Sequence, residues 1–329
     1  MSFISSETLS EYGATTTLPG KVLALVEQQK ATWETAALNY GLLSKTDTRC
    51  FHFPHFRIIC LHNPGRIRST AADTSAVTIL SRPCFLCEAN RPVVQEGIPW
   101  GEHFVILVNP YPIFPVHLTI PSLLHLPQQI DGNLESLLQL TRDLEEFTLF
   151  YNGPRCGASA PDHFHFQACP QGYLPVEKEL EELTSQAVFQ WNTGGETEIT
   201  AVSSDFLRFI LFRSKSAGCL EKWTMRTIDL LRKEEKAEPM INLLSFYRDY
   251  YWHLLLFPRA KQRPSHFYEN DPAKLLISPA AVELGGLVIL PRKEDFLKIT
   301  PHEVAEVFEE VTISKKDFRE LAGKLIAFN

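Results

Sequence analysis

The sequence predicts an α+β protein made of two similar halves. A cycle of short apolar strands around one helix runs from Phe56 to Ala168, and a similar cycle recurs from Phe206 onward. The run Gly286-Leu287-Val288-Ile289-Leu290-Pro291 also echoes Val116-His117-Leu118-Thr119-Ile120-Pro121. A chain of 329 residues, 44% of them hydrophobic, is long enough to give each half a core. We therefore expect an N-terminal helical segment over 1–50, a first half over 51–175 and a second over 176–329.

The apolar positions Val22, Leu25, Val26, Ala31 and Trp33 predict one helix from about Leu18 to Gly41. Phe56–Leu61 reads as a strand ended by Asn63-Pro64-Gly65, and strands follow over His103–Val108 and Val116–Ile120, separated by Asn109-Pro110-Tyr111-Pro112. A helix over Leu134–Phe147 precedes a glycine-containing loop, Asn152–Ser159, which leads into a strand over His163–Ala168. In the second half we expect a strand over Phe206–Phe212 and a helix over Leu220–Lys236. Strands follow over Ile241–Tyr247, Trp252–Phe257 and Leu284–Leu290, then helices after Pro301 and near Lys316. The strand after the second helix, Ile241-Asn242-Leu243-Leu244-Ser245, has no histidine, so chemistry is expected in the first half.

The net charge of −7 argues against a nonspecific nucleic-acid binder, while leaving room for a small phosphate-bearing ligand. The first residues show neither a basic start nor an apolar run, and no stretch approaches about 20 apolar residues, so a cytoplasmic protein without a membrane span is expected. Seven cysteines, an odd count, favour free thiols and metal ligands over a disulfide framework.

The chemistry-bearing segment is His163-Phe164-His165-Phe166-Gln167. On a strand the two histidines and Gln167 share one face and the phenylalanines the other. Imidazole suits attack on phosphorus because much of it is unprotonated near neutral pH and its phosphoramidate is labile. Gln167 can donate hydrogen bonds to phosphate oxygens without competing as a base. The plainer alternative is an amphipathic edge strand with two solvated histidines. The preceding Asn152-Gly153-Pro154-Arg155-Cys156-Gly157-Ala158-Ser159, a flexible loop with donors suited to phosphate, weighs against it. Cys84-Phe85-Leu86-Cys87 places two thiols where a tight turn lets both grip one zinc; two buried reduced cysteines are the other reading. Phe257-Pro258-Arg259-Ala260-Lys261-Gln262-Arg263 is a cationic cluster that could meet a sugar phosphate or be a surface loop.

With these motifs the sequence resembles the histidine-triad superfamily, in its transferase branch of galactose-1-phosphate uridylyltransferases, dinucleoside-tetraphosphate phosphorylases and GDP-hexose phosphorylases. The resemblance runs from about Phe56 to Leu321. It implies two HIT-like halves, each an antiparallel sheet with packed helices, the second degenerate, and a possible homodimer. It implies His165 as the nucleophile and Gln167 as a phosphate contact, the Gln replacing the third histidine of the hydrolases. Asn152, Gly153 and Ser159 match the upstream loop, although the Ser159 to His163 spacing is a residue longer than in the uridylyltransferases. Arg66 matches a strand-Pro-x-Arg phosphate contact, with Arg68 offset from it, and Asn109 matches a base or ribose contact. His117 matches a strand histidine that is equally well structural. The resemblance completes a structural zinc site with His125 and His163 beside Cys84 and Cys87; four protein ligands leave no open position.

The implied activity is nucleotidyl transfer through a nucleotidyl-histidine, from a nucleotide sugar to phosphate. Segment 278–296 resembles GDP-hexose phosphorylases, whereas the zinc positions resemble the uridylyltransferases. Uridylyl transfer to a hexose 1-phosphate and dinucleoside polyphosphate phosphorolysis are thus the alternatives, and a non-catalytic nucleotide-binding protein with structural zinc is a third.

Overall fold

A computed structural model describes residues 3–73, 75–194, 197–233 and 237–327. The chain opens with α1 (Ser6–Glu11), α2 (Leu18–Thr32) and α3 (Glu34–Leu42). Thr17 caps α2 by accepting from the Gly20 amide, with Pro19 in the first turn. The single helix expected over 18–41 is broken at Trp33, whose backbone is extended and whose ring is buried. Burial of the indole outweighs the small helical preference of one residue.

A hairpin of β1 (Asp47–Phe53) and β2 (Phe56–His62) follows, then the short helices α4 (Ile67–Thr70) and α5 (Ala76–Ser81). The main sheet begins with β3 (Gly97–Trp100), β4 (Phe104–Val108) and β5 (Leu118–Pro121), continues through α6 (Leu134–Asp143) and adds β6 (Phe147–Asn152) and β7 (His165–Pro170). After α7 (Pro175–Lys178) and α8 (Leu180–Thr184) come β8 (Ala187–Asn192), β9 (Thr197–Ser203) and β10 (Arg208–Ser214), then α9 (Ala217–Leu231), β11 (Ile241–Arg248) and β12 (Tyr251–Pro258). The chain ends with α10 (Ala281–Leu284), β13 (Leu287–Leu290), α11 (Lys293–Lys298), α12 (Pro301–Val311) and α13 (Lys315–Ile326). The helix expected over Leu220–Lys236 ends earlier, at Leu231, with Arg232 extended after it; Lys236 itself lies outside the described residues.

The large sheet has the order β3-β4-β5-β7-β6-β11-β12-β10-β9-β8, with every neighbouring pair antiparallel. Its first five strands run 3-4-5-7-6 and its last five, read from the other edge, run 8-9-10-12-11. The two halves therefore share one topology and meet where β6 pairs with β11, Asn152 opposite Asn242.

This corrects two expectations. The segment 286–291 is no counterpart of 116–121: Leu284 closes α10, Gly286 turns the chain at φ +100°, and β13 pairs in parallel with β2 in a separate three-stranded sheet. The counterpart of the histidine strand is β12, which carries His253, whereas Ile241–Ser245 corresponds to β6. Short apolar runs look alike whatever their partner, and pairing is decided by contacts distant in sequence.

One face of the sheet is covered by α2, α6, α9 and α13. On the other face the second half is filled by Phe209, Leu211, Leu255 and Phe257, packed into a core shared with β2, β13 and α12. Over the first half that face opens into a pocket.

Candidate active site

His165 begins β7 with Phe164 just before it. Phe164 and Phe166 point into the helix-covered core, where they meet Phe104 and Tyr151. Their burial stabilises the strand by about 2 kcal/mol each and fixes which face His165 presents. His165 and Gln167 line a cavity of about 530 Å³ on the opposite face.

The His165 imidazole is 3% exposed, and its Nδ1 lies 2.8 Å from the His163 carbonyl. A carbonyl only accepts, so Nδ1 carries the proton and Nε2 keeps its lone pair. Burial pushes the ring's pKa down to about 4, against that hydrogen bond, which favours the charged form. Gln128, which the sequence reading missed, clamps the backbone of His165. Its Oε1 accepts the His165 amide at 2.8 Å and its Nε2 donates to the carbonyls of His165 and Asn152 at 3.0 Å. Nothing in the local sequence marks this glutamine, because its partners lie in other strands.

His117 is fully buried beside Gln167, and its Nδ1 accepts from the Ile113 amide at 3.2 Å. The proton is therefore on Nε2, which donates to Gln167 Oε1 at 3.1 Å. That bond turns the Gln167 amide nitrogen toward the cavity as a donor. Burial, helped by the nearby Arg66 charge, pushes His117 down to about 3, so the ring stays neutral in this role.

Arg66 lines the cavity and is steadied by the Tyr111 carbonyl at 2.9 Å and Ser69 Oγ at 2.9 Å. Arg68 lies in α4, with its side chain outside the described residues. Asn109 lines the cavity with both ends of its amide engaged, donating to Thr119 Oγ1 and accepting from the Tyr111 amide, so it also shapes its own loop. Asn152 uses Oδ1 for Asn242 Nδ2 and the Ala281 amide, which leaves its NH2 group for a ligand. Ser159 lines the cavity as well. Gly153 does not: a Cβ there would meet the Ile241 carbonyl at 2.9 Å, so this glycine permits β6 to approach β11. The basic cluster at 257–263 is likewise outside the lining. Arg259 is buried among the carbonyls of Val311, Pro279, Lys261 and Gln262; Lys261 pairs with Glu310; and Arg263 holds the carbonyls of Thr70 and Ala72. The lining does include Glu283 of α10, whose carboxyl burial pushes up in pKa against the pull of Arg66 and Arg259.

Cys84, Cys87, His125 and His163 converge, their donor atoms all within 4.8 Å of one another. The Sγ to Nδ1 separations are 3.3 Å for Cys84–His163, 3.2 Å for Cys87–His125 and 3.5 Å for Cys87–His163. A tetrahedral ion with bonds of about 2.3 Å to sulfur and about 2.0 Å to nitrogen has S···N edges near 3.5 Å, so the set fits a metal ion. His163 Nε2 is 2.8 Å from the Ser122 carbonyl, which leaves Nδ1 as the ligating atom. Burial would raise both thiols, yet hydrogen bonding to His163 brings Cys84 down to about 6, while burial and the neighbouring thiolate take Cys87 up to about 11. A bound dication would let both ionise.

A model described as a domain of unknown function (DUF4922) matches residues 25–170, and one described as a GDPGP1-like C-terminal domain matches 209–328. GDP-L-galactose phosphorylase 2 of Arabidopsis thaliana is 27% identical over 261 residues, 77% of this chain and 55% of that protein. GDP-L-galactose phosphorylase 1 of the same plant is 28% identical over 242 residues, 70% of this chain and 51% of that one. The chain thus spans about half the length of these relatives. Yeast Ap4A phosphorylase Apa2 shares the fold at 14% identity, with a TM-score of 0.52 over 85% of this chain and 94% of that one, and 0.54 in its complex with AMP, over 88% and 96%. These likenesses fit the HIT-like nucleotidyltransferase/phosphorylase superfamily.

The two matched regions meet at the cavity. The first contributes the floor from β4 to β7, and the second contributes Ser278, Ala280, Val282 and Glu283. The loop that carries Gln128 is tied to the second region by Glu238, which accepts from the Ile130 amide and the Tyr151 hydroxyl. Burial pushes the Glu238 carboxyl up from 4.5 to about 7. An acid raised in this way contributes its full stability below the unfolded value and loses it as pH rises through the folded one. Glu238→Gln is therefore expected to cancel a decline of about 3 kcal/mol between roughly pH 4.5 and 7, read as unfolding free energy against pH. Parallel curves for the two proteins would contradict this.

Proposed function

We propose that this protein transfers a nucleotidyl group from a nucleotide sugar to inorganic phosphate through a covalent intermediate on His165. The observation that carries the reading is the hydrogen-bond pair that leaves His165 Nε2 unprotonated and turns the Gln167 amide nitrogen into the same cavity. In the first step the Nε2 lone pair attacks the α-phosphorus. An N–P bond forms, the bond from that phosphorus to the bridging oxygen breaks, and a hexose 1-phosphate leaves with the electron pair. In the second step a phosphate oxygen attacks the same phosphorus, the N–P bond breaks, and a nucleoside diphosphate departs while the imidazole regains its lone pair. Both leaving groups are stable, so the site supplies positioning and charge stabilisation, which Gln167, Arg66 and Ser159 provide.

The similarity to GDP-L-galactose phosphorylases favours a GDP-sugar as donor. Zinc on Cys84, Cys87, His125 and His163 would act as a structural tether, supplying no step of the reaction. We take 51–175 and 176–329 as the two halves. An odd number of cysteines, none of them in a disulfide, fits a cytosolic protein, and among the described residues no helix is long and apolar enough to cross a membrane.

Incubation with GDP-hexoses, UDP-hexoses and Ap4A, each with and without phosphate, tests the reading. Phosphate-dependent release of GDP and a hexose 1-phosphate is expected. Binding without turnover on any of these would refute it in favour of a non-catalytic nucleotide binder.

A further inference from the structure

The cavity floor follows one register row, from Phe150 on β6 past Gln167 and Thr119 to Leu107 on β4, and the lining also takes in Trp33 and Thr35 from the N-terminal segment. Two acidic side chains stand among these residues, Asp73 and Glu283. Asp73 is exposed, and both its oxygens are taken by its own loop, accepting from the Ser75 amide at 2.8 Å and the Thr78 hydroxyl at 2.6 Å. Glu283 differs on both counts. It is 8% exposed, and only its Oε2 is engaged, accepting from the Ala280 amide at 2.9 Å, so that Oε1 faces the cavity with no partner among the described residues.

An ionised carboxyl only accepts hydrogen bonds, as bare phosphate oxygens do, so it repels the groups this site is proposed to hold. The rest of that wall favours an anion. Arg66 spends its hydrogen bonds on a carbonyl and a hydroxyl, both uncharged, and the Asn152 NH2 group is left for a ligand. The Arg66 charge reaches Glu283. Together with Arg259, which donates to the Pro279 carbonyl just before α10, it favours the ionised carboxyl against the burial that raises its pKa. An anion held by Arg66 and Asn152 therefore meets one acceptor among the donors, and it is best tolerated if it brings a hydrogen of its own. Hydrogen phosphate does, through its P–OH. Sulfate has the same shape and charge and no proton to offer.

We propose that Glu283 selects the acceptor of the second step, taking a hydrogen bond from the P–OH of hydrogen phosphate and repelling oxyanions that carry no proton. The proposal rests on the nucleotidyl-transfer reading. The same bond orients the attack: with the protonated oxygen turned to Glu283, an unprotonated oxygen is left to form the bond to the α-phosphorus as the N–P bond breaks. The proton stays on what becomes the terminal phosphate of the nucleoside diphosphate, so no base is needed to remove it. Sulfate would leave the buried Oε1 unpaired against an oxygen of like charge, which lowers its affinity about 10- to 100-fold relative to phosphate.

Equilibrium dialysis of the full chain at about pH 8, where a carboxyl of modestly raised pKa is ionised, against radiolabelled phosphate and radiolabelled sulfate tests this. Wild type is expected to hold phosphate the more tightly by that factor. In Glu283→Gln the amide oxygen can still accept from Ala280 while the NH2 group donates into the cavity. The variant should bind sulfate about 10-fold better and bring the two anions within about 3-fold of each other, with an unfolding temperature near wild type. Equal affinity of wild type for the two anions, retention of neither, or an unchanged preference in Glu283→Gln would overturn the proposal. So would an effect of the variant confined to the KM for GDP-hexose, which assigns the carboxylate to a sugar hydroxyl instead. Phosphate-dependent turnover, measured in parallel, reports on the chemistry alone: anion selection without turnover sinks the transfer reading and leaves the selection, and turnover with no preference between the anions does the reverse.

Discussion

Replacing His165 with alanine is expected to lower phosphate-dependent turnover by on the order of 10⁴-fold or more, with the fold retained. The substitution removes the atom to which the nucleotide would be bonded, and no neighbouring group can take its place. Gln167 has no basic nitrogen, His117 holds its Nε2 proton against Gln167, and His163 sits with the cysteines outside the cavity lining. The fold should survive because Phe164 and Phe166 anchor the strand and Gln128 holds the main chain of residue 165 whatever its side chain. Steady-state rates and an unfolding curve check both parts. A variant that keeps a tenth of the activity would mean that His165 is not the nucleophile.

Cys84→Ser should carry the largest stability effect. Wild type is expected to hold close to one zinc per chain, and the variant to lose it together with about 3 kcal/mol of stability, roughly 4 °C in unfolding temperature for a chain of this size. The size of the effect follows from how little else secures this corner. The local apolar cluster consists of Cys84, Leu86 and Ala160, packed with Cys87. Apart from the metal ligands, Asp162 ties the segments together by pairing with Arg82 at 2.7 Å while facing His125 Nε2 at 3.7 Å. Loss of the tether frees the segment carrying Arg82, Phe85, Leu86 and Asn90, all of which line the cavity, so nucleotide binding should weaken as well. Metal analysis, calorimetry and nucleotide titration of the two proteins make the check, and a metal-free wild type that is fully folded would refute the tether.

What was legible in the sequence follows from range. The alternation from Phe164 to Gln167 is local, and it separates core from cavity, since a strand with one greasy face has a single way to lie, whereas His163 precedes the strand and turns to the cysteines. The Cys-x-x-Cys turn is local too, and the resemblance supplied the histidines that the structure brings beside it. Gln128 was not legible, nor was the N-terminal contribution of Trp33 and Thr35, because each acts through partners that only folding brings near. The basic run at 257–263 read as an anion site, yet a buried guanidinium is as easily satisfied by main-chain carbonyls, as Arg259 is. The two-half architecture was visible as a repeated cycle, whereas the apparent echo at 286–291 misled because four apolar residues before a proline do not specify a partner strand.

The central claim is a covalent nucleotide on His165 Nε2. Exposing the protein to GDP-hexose labelled at the α-phosphorus, without phosphate, and then mapping the label by proteolysis and mass spectrometry tests it directly. An acid-labile, base-stable adduct on His165 is expected, one that phosphate discharges as GDP and that is absent from His165→Ala. Phosphate-dependent turnover with no adduct at this residue, or with label on another, would contradict it.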